Sequence, residues 1–287
     1  MTDLHTHILP GMDDGAKDVE TSLTLLRMEA AQGVDTVVLT PHFYRDREEP
    51  SHFLARRAEA AKTLADALVA LPEEERKAIP QLALGAEIAW VPNLAEWPEL
   101  PRLCLGASHH FLLELPFRPW TDQLINRLYE LPGRTGLTPV IAHIERYLKN
   151  QKSQHIEAVL SMGVPVQVSA EPLLHPLWRG AVLRLLRERK AQLLASDAHS
   201  PEARPPNLGA AMDVVRRRLG DSKADSLAML SDVYSPCQPK TFANASGSHN
   251  YPKNLIGGSY ETHNKQALVS FADACHADEH GPRGICK

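Results

Sequence analysis

The chain has 287 residues, 43% of them hydrophobic and 23% charged, and a formal net charge of −4 from 31 basic and 35 acidic side chains. That composition is globular and suits one large α/β domain or two small ones; it excludes disordered, collagen-like and strongly basic nucleic-acid-binding classes. No apolar run approaches the roughly 20 residues that a bilayer demands, and three of the four cysteines (Cys237, Cys275 and Cys286) lie near the end, so a cytoplasmic protein without membrane insertion or a disulfide framework is expected.

In chain order, short apolar runs at 2–5, 36–40, 81–85, 111–115, 139–142, 165–168 and 192–195 are predicted strands. Between them, amphipathic stretches at 20–32, 51–70, 121–131, 154–162 and 181–190 are predicted helices, with a last one at 208–219. In the first helix Leu23, Leu26 and Ala30 share a face, and Gly33 is suited to a left-handed cap. Alternation of buried strands with helices predicts a mostly parallel sheet, because parallel strands need crossover connections. Seven strands suit a closed or nearly closed barrel, with an open doubly wound sheet as the alternative.

This pattern ends near residue 232, which bounds the predicted domain at 1–232. The opening Asp3-Leu4-His5-Thr6-His7 is expected to leave no room for a signal peptide. From 233 to 287 the chain is rich in Ser, Asn, Gly and His without a clear period, and is expected to be a disordered tail. His276 and His280 there have the spacing of one helical face, but no CxxC pair accompanies them and no metal site is assigned.

The chemistry lies where histidines and acids interrupt the apolar runs. His5 and His7 stand two apart at the end of the first strand, followed by Asp13-Asp14-Gly15 in the next loop. His42 ends the second strand, Glu87 the third, and Glu114 lies inside an apolar fourth. His143 ends the run at 139–142, and Asp197 and His199 follow the last strand. Six of seven strands thus deliver a metal-type ligand near the C-terminal end, the rim where parallel barrels build active sites. A lone strand-end histidine is commonly a hydrogen-bonded structural residue. Five histidines and four carboxylates at corresponding ends are another matter, since such carboxylates would repel one another without cations. Mixed nitrogen and oxygen donors without thiolate favour Mn²⁺, Zn²⁺, Fe²⁺ or Mg²⁺. His52, His155 and His175 fall on or beside helices and read as surface or packing residues, and His109-His110 precedes its strand.

These segments, together with Thr40-Pro41-His42, Gly85-Ala86-Glu87, Ile141-Ala142-His143-Ile144-Glu145-Arg146-Tyr147 and Ser196-Asp197-Ala198-His199, resemble the PHP (polymerase and histidinol phosphatase) superfamily. More narrowly, the run from Ala142 to Tyr147, with Asp13-Asp14-Gly15 and Arg204-Pro205-Pro206, resembles the bacterial manganese-dependent tyrosine-protein phosphatases of capsule and exopolysaccharide synthesis. The resemblance spans roughly residues 1–232.

It implies a distorted seven-stranded (β/α) TIM-like barrel with three ions, of which Mn²⁺ is the family's metal and Fe, Zn, Co or Mg are alternatives. On that pattern His5, His7, Asp14, His42, Glu87, Glu114, His143, Asp197 and His199 are ligands, Glu87 bridges two ions, and Arg146 and Arg204 hold the substrate phosphate. The reaction implied is attack on phosphorus by metal-activated hydroxide, with a phosphotyrosine protein, a tyrosine autokinase, as substrate. No CxxxxxR phosphate loop is present, which argues against a cysteine nucleophile. A small-molecule phosphatase of the histidinol-phosphate type, or an inactive metal-stabilised binding module, are the alternatives. Asp13 is expected only to shape its turn. If 233–287 lies outside the domain, limited proteolysis near residue 232 is expected to leave activity intact; a protected tail would overturn that boundary.

Overall fold

In the computed structural model of the protein, which describes residues 1–233, every ladder between neighbouring strands is parallel. The strands are β1 (Thr2–Thr6), β2 (Thr36–Leu39), β3 (His42–Phe43), β4 (Gln81–Leu84), β5 (Glu87–Ala89), β6 (His110–Glu114), β7 (Thr138–Ile141), β8 (Gln167–Ser169) and β9 (Leu193–Ala195). They form three sheets, ordered β1-β2-β4, β3-β5-β6-β7 and β8-β9. Parallel bridges Ile141↔Val166 and Thr6↔Ala198 link the second sheet to the third and the third back to the first.

The first two sheets are also continuous along the chain. The runs expected at 36–40 and 81–85 each break for two residues and resume as β3 and β5. At the first break Pro41 has no N–H to give a ladder. The chain is held there by Thr40, whose hydroxyl accepts the Thr6 N–H and whose own N–H donates to Thr6 O.

Side chains alternate across each strand, and the two faces meet different neighbours. Leu4, Val38, Ala83, Leu112, Val140 and Leu193, from six different strands, share one buried inner cluster with Leu105, Ala142 and Ala195. Their alternates Val37, Leu39, Leu82, Leu84, Phe111, Leu113, Ile141 and Leu194 join the larger cluster that includes the buried faces of the helices. β8 differs: Val166 and Val168 join that larger cluster, and Gln167 between them is polar and fully buried.

The helices are α1 (Val19–Ala31), α2 (Pro50–Ala70), α3 (Glu73–Ala78), α4 (Asp122–Thr135), α5 (Ser153–Leu160), α6 (Glu171–Leu174), α7 (Pro176–Arg187), α8 (Leu208–Leu219) and α9 (Asp221–Val233). α1 starts on Asp18, whose carboxylate accepts the Thr21 N–H at 2.8 Å. It ends as expected, with Gly33 at φ +76°. α7 begins five residues before the expected 181, because Pro176 is well placed in a first turn. α9 has no clear apolar stripe in sequence, yet it buries Ala224 and Leu227 and packs on β1 and β9. Thr2 donates its hydroxyl to Asp232 at 2.9 Å, fixing α9 at the start of β1. The N-terminal ammonium pairs with Asp35 at the same end of the strands. Among the described residues no helix is long and apolar enough to cross a membrane. The rest of the expected tail, 234–287, lies outside the described residues.

A buried carboxyl pair joins α1 to the sheet. Asp3 and Glu29 are both fully buried, and the N–H of Ser196 donates to both Asp3 oxygens at 3.1 Å. Burial, and then the charge of Asp3, push the Glu29 pKa well above the usual carboxylate range, and burial raises Asp3 as well, so the fold favours the protonated form of Glu29. A carboxyl raised in the folded state favours folding fully below its unfolded pKa, and that contribution is lost as pH rises toward the folded value. Glu29→Gln, which copies the protonated form, is therefore expected to gain stability over the wild type as pH rises from 5 to 8. Thermal melts across that range check it. Strong destabilisation at every pH would contradict a protonated Glu29.

Candidate metal centre

The nine residues expected as ligands come together, seven at or beyond the C-terminal ends of strands, while His42 and Glu87, expected to end theirs, open the resumed strands β3 and β5. β1 brings His5, and His7 just beyond it; both are fully buried, with their Nε2 atoms 3.2 Å apart. Each has its other nitrogen engaged. His7 Nδ1 lies 2.7 Å from Asp13 Oδ2 and His5 Nδ1 lies 3.3 Å from Gln167 Oε1. Oxygen acceptors at Nδ1 assign the proton there and leave the Nε2 lone pairs facing the centre, the arrangement found around metal-ligating histidines.

Glu87, 1% exposed, occupies the middle. Its Oε1 accepts from His143 Nε2 at 2.7 Å. Its Oε2 lies 2.8 Å from His42 Nδ1, 3.3 Å from His7 Nε2 and 3.4 Å from His5 Nε2. None of these three approaches has hydrogen-bond geometry, so Glu87 Oε2 and His42 Nδ1 are buried polar atoms without a hydrogen-bond partner. Glu114 Oε1 lies 3.7 Å from His143 Nε2. On the other side, the exposed Asp14 lies 3.6 Å from both His42 Nε2 and His199 Nε2. Asp197 directs Oδ1 to His5 and His7 at 3.4 and 3.5 Å, and Oδ2 to Arg146 and to Arg204, the latter at 2.6 Å.

Three sets of donor atoms can each hold an ion: His7, Asp14, His42 and His199; His5, His7 and Glu87; and His42, Glu87 and Glu114. The unpartnered buried atoms Glu87 Oε2, His42 Nδ1 and His199 Nε2 belong to residues of these sets. The donors are nitrogen and oxygen throughout, which fits borderline and hard divalent ions.

Charge in the site follows from the same contacts. Burial works against the Glu87 and Asp197 carboxylates, but neighbouring histidines, and Arg146 at Asp197, hold both pKa values below the usual range. Burial, then Glu87, pushes Glu114 up. Burial and the adjacent His7 bring His199 down to about 3; it stays neutral, and its Nδ1–H donates to Asp197 O at 2.9 Å. Burial opposes the charge on His7, yet its hydrogen bond with Asp13 and the nearby Glu87 carboxylate outweigh it and raise its pKa to about 10. An ion taking His7 Nε2 displaces that proton.

Two residues do more than the sequence suggested. Asp13 does shape its turn, accepting the Gly15 N–H at 3.0 Å, but its Oδ2 also takes the His42 N–H at 2.8 Å and holds His7. Gln167 Oε1 accepts the His143 N–H at 2.8 Å as well as facing His5. A glutamine among the valines of a buried strand was the available signal. The other histidines behave as expected: His155 pairs with Asp122 at 2.8 Å, and His52 and His175 are exposed beside Glu48 and Glu171. His110 opens β6 instead of preceding it. Cys104 is buried in apolar surroundings that push its thiol up to about 11, which leaves no thiolate there.

The family model for capsular polysaccharide synthesis, CpsB/CapC, matches residues 1–232. The chain is 31% identical over 243 residues to the tyrosine-protein phosphatase CpsB of Streptococcus pneumoniae, covering 79% of this chain and 94% of that one. It is 28% identical over 228 residues to the tyrosine-protein phosphatase YwqE of Bacillus subtilis, covering 77% and 85%. A solved structure from the work on YwqE and CpsB, described as unique metal-dependent tyrosine phosphatases, superposes with a TM-score of 0.71 at 26% identity, covering 83% of this chain and 96% of that one.

Gly15 shows how tightly this site is built. A Cβ there would fall 2.0 Å from His7 O and 2.5 Å from His7 Cβ, both on the segment that carries the ligand. Gly15→Ala is expected to displace His7 and lower the divalent metal bound per chain, measured by elemental analysis, while circular dichroism still shows the folded domain. Full metal content in that variant would contradict the placement of His7 among the donors.

Proposed function

The chain belongs to the CpsB/CapC family of capsular polysaccharide synthesis, and from that premise we propose that it is a metal-dependent phosphotyrosine-protein phosphatase. The observation that carries this reading is the convergence of nine nitrogen and oxygen donors beside two arginines that meet on one carboxylate. His5, His7, Asp14, His42, Glu87, Glu114, His143, Asp197 and His199 are the ligands in this reading. Three Mn²⁺ ions, with Glu87 bridging two of them, are the complement in this reading; the overlap of the three donor sets pairwise at His7, His42 and Glu87 supports it. The scaffold in this reading is a distorted seven-stranded barrel. The bridges between sheets and the inner cluster drawn from six strands support it, with β3 and β5 continuing β2 and β4.

When bound, divalent metal supplies Lewis acidity toward phosphoryl oxygens and a lowered pKa for water. The protein supplies position and charge. Arg146 and Arg204 offer planar donor forks to the phosphoryl oxygens and neutralise them as charge develops. Asp13 and Gln167 hold the tautomers and ring planes of His7 and His5, so that the donors need no rearrangement as the reaction proceeds. Phenolate, with a conjugate acid pKa of about 10, leaves with less protonation than a serine alkoxide needs. A tyrosine autokinase of capsule or exopolysaccharide synthesis is the substrate protein we assign, in the cytoplasm.

Two measurements test this. Chelator-stripped protein is expected to hydrolyse a phosphotyrosine peptide only when Mn²⁺ is restored, and to act poorly on histidinol phosphate. The opposite preference would keep the metal site and overturn the substrate. Arg146→Ala is expected to lower kcat/KM on the order of a hundredfold with bound metal unchanged; a loss of metal instead would make Arg146 a structural partner of Asp197.

A further inference from the structure

The loop after β6 holds an aromatic ring in the open beside the donor cluster. Phe117, three residues beyond Glu114, is 51% exposed, whereas the neighbouring aromatics Trp120 and Tyr147 are buried. Its ring lies nearly parallel to that of His143, at 12° with centroids 6.5 Å apart, and rests on Tyr147 at 5.3 Å. Tyr147 follows Arg146, so the exposed ring lies beside both a donor histidine and the segment that carries an arginine of the phosphate grip.

The loop is not free to tuck this ring away. Tyr147 Oη donates to Leu115 O at 2.8 Å and Trp120 Nε1 donates to Pro116 O at 2.9 Å. Gln151 accepts the Trp120 N–H at 2.7 Å and donates to Phe117 O and Arg118 O at 3.3 and 3.1 Å. Pro116 and Pro119 restrict the backbone further. A large apolar side chain kept half in water by a fixed backbone is a surface awaiting an apolar partner.

Two other aromatics with exposed faces carry a cation, while Tyr129, on α4, is exposed as well. The Arg47 guanidinium lies 4.1 Å from the Tyr44 ring centre, and the Lys149 ammonium lies 3.6 Å from that of Trp178. No cation caps Phe117 among the described residues.

We propose that Phe117 is the platform on which the phenyl ring of the substrate packs, so that this residue selects aryl over alkyl phosphomonoesters. The proposal rests on the phosphotyrosine reading above. Aromatic pairs prefer offset or edge-to-face contact and add to the area they bury, and an alkyl phosphate has no ring to offer.

The test uses the full chain loaded with Mn²⁺, as wild type, Phe117→Ala and Phe117→Tyr, with bound metal measured in each. kcat/KM is measured on matched phosphotyrosine and phosphoserine peptides, and binding of a non-hydrolysable aryl phosphonate peptide is followed by calorimetry. Phe117→Ala is expected to lower the aryl-to-alkyl ratio of kcat/KM on the order of tenfold, chiefly through KM, and to weaken the phosphonate peptide by a similar factor. Phe117→Tyr is expected to restore both. An unchanged ratio in Phe117→Ala, with the wild type active on phosphotyrosine, overturns the platform alone. A metal-loaded wild type inactive on phosphotyrosine overturns the underlying reading and the platform with it.

Discussion

Glu87 is the constraint around which the rest of the site is arranged. A carboxylate at 1% exposure is tolerable only with opposite charge or hydrogen-bond donors around it; left alone, it would cost several kcal/mol. Here four imidazoles surround it, from His5, His7, His42 and His143, and each comes from a different part of the sheet system or its adjoining turns. The parallel arrangement makes this possible, since every strand ends on the same side. Asp13 and Gln167 then hold His7 and His5 from behind. Removing any one of these supports leaves a buried polar group without its partner, which is why the inner end of the site is dense with hydrogen bonds and its outer edge, at Asp14, is open.

The backbone is bent to serve the same end. Among the described residues, three non-glycine positions have positive φ, and two of them are His143 at 30° and Asp197 at 56°. Such conformations cost of order 1–3 kcal/mol each and persist only where surroundings over-determine them. The surroundings here are specific: the His143 N–H is held by Gln167 and the Asp197 N–H by the carbonyl of His5. Both residues immediately follow strands, or nearly so, and the left-handed turn directs their side chains into the donor cluster. β8 contributes through this support. It supplies no expected ligand, yet its buried glutamine fixes the backbone of one donor residue and faces the ring of another.

What could be read in the sequence was whatever a short window contains. Buried parallel strands are largely apolar runs, so each of the seven expected runs overlaps a strand, and a histidine or acid at the end of such a run stands out against it. Most of the expected donors were legible for that reason, whereas Asp14, in a loop, was singled out from its neighbour Asp13 only by the family resemblance. The breaks after Leu39 and Leu84 were hidden because a run interrupted by two residues still looks like one strand. α9 was hidden because Ala224 and Leu227 are too few to mark a stripe, and its helical state depends on β1 and β9 being there to cover them. The second role of Asp13 and the whole role of Gln167 depend on partners far away in sequence. The exposure of Phe117 is likewise set by Gln151 and Tyr147 gripping its loop, which no local pattern of Pro116 and Pro119 announces.

Both ends of the described chain lie at the pole opposite the donors. Met1 is anchored to Asp35, and Asp232 to Thr2, at the entrances of the first two strands, while His5 and His7 stand at the exit of the first. Met1 therefore stands at the pole opposite the donor cluster. A surface tether attached at Met1 leaves the donor cluster facing outward. The geometry suits the domain to immobilisation on a bead or sensor chip, with its working side presented to solution.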